Sequence, residues 1–216
     1  MTTIGTGFLA IWSDVSAATE TDYVHWLTRE HAAERLSVPG FLGVRFFRAQ
    51  AEGLHRYFIL YRLADAAVMA SPDYLARLNA PTPWSQRIMP ILGNFVRGGG
   101  RFAHEEGHGS GSAVLPVTCT LDDLQRLREL TPRILACDRV VAVRLLEVDA
   151  GGTQIQTREK SIRQDDRSFA ALAVFEALDD PGLDAVESII APVVGSAPRL
   201  RYRQVYSLTN AVAPRG

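Results

Sequence analysis

The sequence predicts an α+β protein: two tandem ferredoxin-like (βαββαβ) domains packed sheet to sheet as an intramolecular α+β barrel. Three observations predict it. FLGVRFFRAQAEG (41–53) returns as VVAVRLLEVDAGG (140–152), with Val44-Arg45 matched to Val143-Arg144 at an offset of 99. That spacing is domain-sized, well above the roughly 20–50 residues of a solenoid repeat. The apolar and polar runs follow the order β-α-β-β-α-β twice, the split βαβ arrangement. The runs FLGVRFF and YFILY are apolar at both alternating positions, so both faces of the sheet need cover, and the other copy's sheet supplies it.

GTGFLAIWSDV (5–15) is the first strand. TETDYVHWLTREHAAERL (19–36) is a helix, with Thr19 or Thr21 as cap and Asp22 in its first turn. Val38-Pro39-Gly40 stops it. Residues 41–50 and 56–64 are the second and third strands around the AEGLH loop. Residues 65–79 read as a helix interrupted at Ser71-Pro72, NAPTPWS (79–85) as a loop, and SQRIMPIL as a short helical piece. NFVRGGGRFAH (94–104) is the fourth strand, its glycines marking a bulge or close contact in an edge strand. The second copy repeats the order with strands 112–119, 139–149, 168–178 and 199–209 and helices 120–137 and 181–195. The domains are therefore 1–105 and 112–216, joined by a polar, glycine-rich linker at 106–111. Residues 153–167 are a long polar hairpin insertion, expected as an exposed, mobile loop.

Composition excludes several classes. Net charge is −1, Lys160 is the only lysine, and no basic stripe marks a nucleic-acid partner. No apolar run reaches the roughly 20 residues that span a bilayer, so no membrane partner is expected. Cys119 and Cys137 are too few for a disulfide framework. With no signal-peptide pattern at the N-terminus, the expected location is cytoplasmic.

The first half also resembles a known group. WLTREHAAERLSVPGFLGVRFFRA, RYFILYRLAD and SPDYLARLNAPTPWSQRIMP are similar to EthD-like and uncharacterised members of the dimeric α+β barrel superfamily. Those members carry an aromatic residue ahead of Glu-His in a helix ending in Val-Pro-Gly-Phe. The resemblance covers about residues 5–103; in the second half only the element order matches. It implies the fold, and it implies a range of chemistry: polyketide cyclases, muconolactone isomerases, cofactor-independent monooxygenases and haem-dependent enzymes.

At about 100° per residue, Tyr23, Val24, Leu27, His31 and Glu34 share the helix face that meets the sheet. His31 and Glu34, spaced i,i+3, are the candidate catalytic pair, with the carboxylate orienting the ring and raising its pKa. Trp26 and Glu30 fall on the flank, at a pocket rim or interface. Arg45, Phe47, Tyr57, Tyr61 and Trp84 are candidates to complete an aromatic pocket, although Arg45 recurs as Arg144, which favours a salt bridge at the seam between sheets. Leu130 stands opposite His31 in the second copy, so the first copy is expected to hold the site and the second to be scaffold. His104-Glu105-Glu106-Gly107-His108 matches H-E-x-x-H, but a glycine within it and a strand before it deny the helix that a zinc site needs. No metal is expected.

The expected ligand is a small apolar or aromatic metabolite, and a homodimer of fused barrels is compatible with the chain. Three readings stay open: cofactor-independent proton transfer by a cyclase, isomerase or lyase; a monooxygenase, cofactor-free or with His31 on haem; and a non-catalytic binding or assembly protein.

Overall fold

A computed structural model describes residues 5–49, 56–149, 151, 155–163 and 167–210. The strands are β1 (Gly7–Asp14), β2 (Phe41–Ala49), β3 (Tyr57–Leu63), β4 (Gly93–Gly107), β5 (Ala113–Cys119), β6 (Val140–Val148), β7 (Ala171–Ala177) and β8 (Tyr202–Thr209). They join in the order β1-β3-β2-β8-β5-β7-β6-β4, and β4 returns to β1. All pairings are antiparallel.

This single closed barrel corrects the expectation of two ferredoxin-like domains stacked face to face. Two open four-stranded sheets would each present unpaired edges, a liability that closure removes. Here β2 pairs with β8 over seven residues, and β4 pairs with β6. The length of β4 makes this join. Its residues 93–101 pair with β1 and its residues 100–107 with β6. The segment expected to begin the linker is therefore strand, and β4 is not an edge. Its glycines allow the crowding: a Cβ at Gly100 would overlap the carbonyl of Glu147, and one at Gly99 would overlap Met69.

The helices lie outside the barrel: α1 (Glu20–Trp26), α2 (Ala32–Leu36), α3 (Pro72–Asn79), α4 (Pro83–Ile88), α5 (Leu121–Leu135), α6 (Arg158–Ile162) and α7 (Asp180–Val194). Ser71 and Thr82 cap α3 and α4 ahead of Pro72 and Pro83, and Thr120 with Asp123 forms a capping box on α5. The expected helix over 65–79 divides at Ser71 into a 3₁₀ stretch, Ala66–Ala70, and α3. None of the described helices is long and apolar enough to cross a membrane.

Strand alternation sorts the core into three. Phe8 and Trp12 of β1, Phe47 of β2, Phe58 and Leu60 of β3, Leu146 of β6, and Leu172 and Val174 of β7 fill the lumen. Leu9 and the outward residues of β2 and β3 pack beneath α1–α4. Leu115, Val143, Leu145 and Phe175 pack beneath α5 and α7. Arg45, Arg144 and Glu176 alternate in step with the lumen residues Phe47, Leu146 and Val174. Both arginines reach the fully buried Glu176 (Arg45 Nη1 to Oε1, 2.7 Å), whose second oxygen accepts from Gly111 N at 2.9 Å. Glu105 ties in Arg62 and Arg144. Arg45 thus makes the cross-seam ion pair that its duplication suggests.

Removing this carboxylate strands two guanidinium groups. Glu176→Ala is expected to cost about 3–5 kcal/mol, seen as a lower urea midpoint at unchanged slope. A loss under about 1 kcal/mol would show that the pair does not hold the seam.

Candidate functional site

The helix over the first half is not regular. Leu27–His31 forms a π turn between α1 and α2, with Ala32 N donating to Leu27 O, five residues back. The Thr28 hydroxyl donates to Val24 O at 2.8 Å, giving a carbonyl of α1, one turn before, a side-chain partner. Five residues along an ideal α-helix turn a side chain by about 140°. The π turn takes up the extra residue and brings Trp26 and His31 onto one face, ring centroids 4.1 Å apart and 32° from parallel. Single π turns concentrate at functional sites.

Trp26 is therefore buried rather than flanking, and its Nε1 donates to Ser85 Oγ at 3.1 Å. Ser85 is set by the α4 cap, where Ser85 N donates to Thr82 Oγ1, and the Thr82 hydroxyl donates to Glu30 Oε1 at 2.6 Å. Tyr23 shares 2.7 Å with Ser13 Oγ. A small cavity lies between this helix and the outer face of β1 and β3, lined by His31, Arg35, Tyr61, Tyr74, Arg97 and Glu159 among others. Its volume is about 30 Å³, room for roughly two waters at about 10–15 Å³ each, against the 300 Å³ or more of a ligand pocket.

The polar groups here are buried in an apolar shell. His31 is 5% exposed and Arg35 2%. His31 Nδ1, Arg35 Nη1 and the Tyr61 hydroxyl have no hydrogen-bond partner among the described residues. Burial, then the charges of Arg35 and Arg163, hold the His31 imidazole well below its ordinary value, so the ring is neutral. Glu34 does not raise it as expected. Its Oε2 stands 3.9 Å from Nδ1, too far for a hydrogen bond, and burial pushes its own pKa up. Burial also raises Tyr61 and Tyr23, which stay protonated, while burial opposed by Glu159 leaves Arg35 higher than usual, a permanent cation.

Of the sequence candidates, Tyr23, Trp26, His31 and Tyr61 meet at this cavity, with Glu34 at its edge and Leu27 in the adjoining core. Arg45 and Phe47 face the lumen, on the opposite side of the sheet. Trp84 packs outside, donating to Asp22 Oδ1 at 3.0 Å. Tyr57 donates to Glu20 at 2.6 Å. Sequence reading missed Arg35, Tyr74, Arg97 and Glu159. Arg35 was findable as the i+4 neighbour of His31. The hairpin insertion, expected as an exposed loop, carries α6, capped by Thr157, and buries Glu159 to 2% exposure against Arg35. The H-E-x-x-H motif lies on β4 and the turn after it, with His104 Nε2 3.2 Å from Glu106. Among the described residues no group of three metal-ligating side chains gathers. Burial and Asp123 push the Cys119 thiol up to about 12, leaving no reactive thiolate.

No protein-family model matches the sequence, and no curated protein matches it. Solved structures share the fold. An anthrone oxidase-like protein matches at TM-score 0.62 and 11% identity, covering 96% of this chain and 94% of that one. A candidate monooxygenase from Fusobacterium nucleatum matches at 0.57 and 12%, covering 95% of each. A chlorite dismutase from Candidatus Nitrospira defluvii matches at 0.53 and 11%, covering 95% of this chain and 93% of that one. At such identities the likeness is one of fold.

As it stands, with Glu159 and α6 in place, the cavity beside His31 has room for about two waters and not for haem.

Two outcomes follow from this geometry. The unfolded chain protonates His31 near its ordinary 6.5, before the folded protein does. The residue's stabilising contribution is thus complete above pH 6.5 and is lost as pH falls below it. Glu34, with a raised pKa, acts in the opposite sense at lower pH and is common to both proteins compared. Urea unfolding of wild type should weaken from pH 6.5 toward about 5 more steeply than that of His31→Gln; parallel profiles would exclude a neutral buried His31. Deleting the exposed Arg29 should convert the π turn to α-helix and leave Trp26 and His31 spaced i,i+4, still on one face. The His31 NMR titration should then stay well below 6.5, and a move up toward 6.5 would show that the pair needs the π turn.

Proposed function

We propose that the protein is a cofactor-independent enzyme that removes a proton from a small, largely aromatic carbon acid and passes the resulting carbanion to dioxygen. The observation that carries this is the buried neutral imidazole of His31 beside a permanent guanidinium and a protonated phenol. A neutral ring accepts a proton, and Arg35 and Tyr61 stabilise the oxyanion of the enolate that forms. His31 is the base. Trp26 and Tyr23 set its position, and Glu34 is a secondary neighbour.

The remaining chemistry belongs to the substrate. The enolate carbon gives electrons to dioxygen, a carbon–oxygen bond forms, and the peroxide takes up a proton. Loss of water then leaves a carbonyl, so one CH₂ and one O₂ become C=O and H₂O. The anthrone oxidase-like and candidate monooxygenase neighbours support the oxidative outcome over a cyclase, isomerase or lyase, which would share only the first step. The 30 Å³ cavity favours a second, non-catalytic reading unless the site opens.

The test uses anthrone as carbon acid, with oxygen uptake and quinone formation followed together. Wild type should consume one O₂ per quinone formed, and His31→Ala should lose about 10²–10⁴-fold in kcat/KM. Turnover without O₂ uptake would return the reading to isomerase or lyase chemistry. Equal turnover in His31→Ala would remove the residue from the mechanism, and no turnover by wild type would favour binding alone.

A further inference from the structure

We propose that Glu159 is a built-in plug that occupies the seat of the substrate's oxyanion on Arg35, and that the natural ligand is an organic anion whose carboxylate or phenolate oxygen displaces it. The inference deepens the proposed function and rests on it for the identity of the site.

Glu159 is out of place by the usual rules. Charged side chains are seldom fully buried, and removing both ions from water costs several kcal/mol each. Yet it is delivered from the second half of the chain, by a helix of five residues, into the cavity beneath the first-half helix. There it meets Arg35 Nη2. Around Glu159, α6 is held by Arg158 N, which donates to Asn79 Oδ1 at 3.0 Å, and by Ile162, which packs on the edge of the first-half core; just beyond it the Arg163 guanidinium lies 4.3 Å from the Phe95 ring centroid.

The seat is wider than the plug fills. Glu159 reaches Nη2, while Arg35 Nη1, the Tyr61 hydroxyl and His31 Nδ1 make no hydrogen bond among the described residues, Glu34 Oε2 standing 3.8 Å from Nη1 and 3.9 Å from Nδ1. Two guanidinium groups, Arg35 and Arg97, line this cavity beside the carboxylate of Glu159, with Glu34 nearby and inclined by burial to protonate. With Glu159 withdrawn the positive excess grows in a low-dielectric space. That environment selects an anion and penalises a neutral or cationic ligand. Aromatic walls from Trp26, Tyr61, Tyr74 and Phe95 suit a planar body. The cavity is too small for any ring while Glu159 and α6 are seated, so binding and displacement are one event.

The experiment titrates the full chain with 2-naphthoate, a planar carboxylate, and with neutral 2-naphthamide. Glu159→Gln and Glu159→Ala should bind naphthoate at least about tenfold more tightly than wild type, with naphthamide shifted less than about threefold. The gain should vanish on adding Arg35→Met and survive adding His31→Ala. Survival there would leave the anion seat standing even if His31 has no part in turnover, so the two proposals fail separately. Unchanged or weaker naphthoate binding in both folded Glu159 variants would overturn the plug, as would equal gains for the amide. Amide exchange in the wild type keeps the test decisive if the variants do not fold. Saturating naphthoate should speed exchange across 158–162, and unchanged or slower exchange there would overturn the displacement.

Discussion

The structure depends on closure of the sheet. Once β2 meets β8 and β4 meets β6, the sheet closes, with β5 and β8 joined by a two-residue pairing, and the inward side chains of both halves share one lumen. That lumen is filled with Phe8, Trp12, Phe47, Phe58, Leu146 and Val174, as expected where eight strands leave just enough interior for side chains. A filled lumen cannot also be a binding chamber. Chemistry is displaced to the barrel's outside, into the layer between sheet and helix, or to its mouth. At the mouth, Arg45, Arg62 and Arg144 surround a cavity of about 490 Å³, but each is already engaged by Glu105, Glu176 or backbone oxygens. Unsatisfied polar groups collect instead around His31.

The same layer is largely apolar in the second half. Leu124, Leu127 and Ile134 of α5 pack on Val143, Leu145 and Phe175, and Leu130 takes the place that the offset of 99 assigns to His31. The helix α5 stays α-helical through this stretch despite Pro132 within it, whereas the first-half helix inserts a π turn. The difference is physical rather than decorative. A π turn sacrifices good hydrogen-bond geometry, so it persists where something is gained by re-aiming a side chain. Here the gain is the stacking of His31 on a tryptophan that is itself fixed by Ser85.

Much of this was legible in the sequence, and what was not has definite causes. The strands and helices could be placed because their periodicity and caps are local properties: Val38-Pro39-Gly40, Ser71-Pro72 and Thr120 act within a few residues. Which strands pair across the two halves is not local. The apolar character of FLGVRFF and YFILY announced that both faces were covered, but not whether two sheets stack or one sheet closes, since both bury the same residues. His31, Tyr23 and Tyr61 were findable from helix and strand phase. Trp26 was misplaced because a fixed 100° step cannot register one extra residue in a turn. Arg45 and Phe47 have the right chemistry on the wrong face, a matter of strand parity that shifts with the bulge between Phe41 and Gly43.

Glu159 marks the deeper limit. A polar stretch such as TQIQTREKSIRQDDR looks solvated because its composition is, and burial of one carboxylate within it depends on a partner 124 residues away. That partner, Arg35, is equally anomalous by itself, an arginine on the buried face of a helix beneath an apolar sheet. Each charge makes sense only through the other, and neither is required for the barrel to close. A structure that carries two desolvated ions at a site its fold does not need, beside a neutral histidine and a free phenol, is retaining them for something other than stability. The ion pair therefore argues for function independently of the fold neighbours.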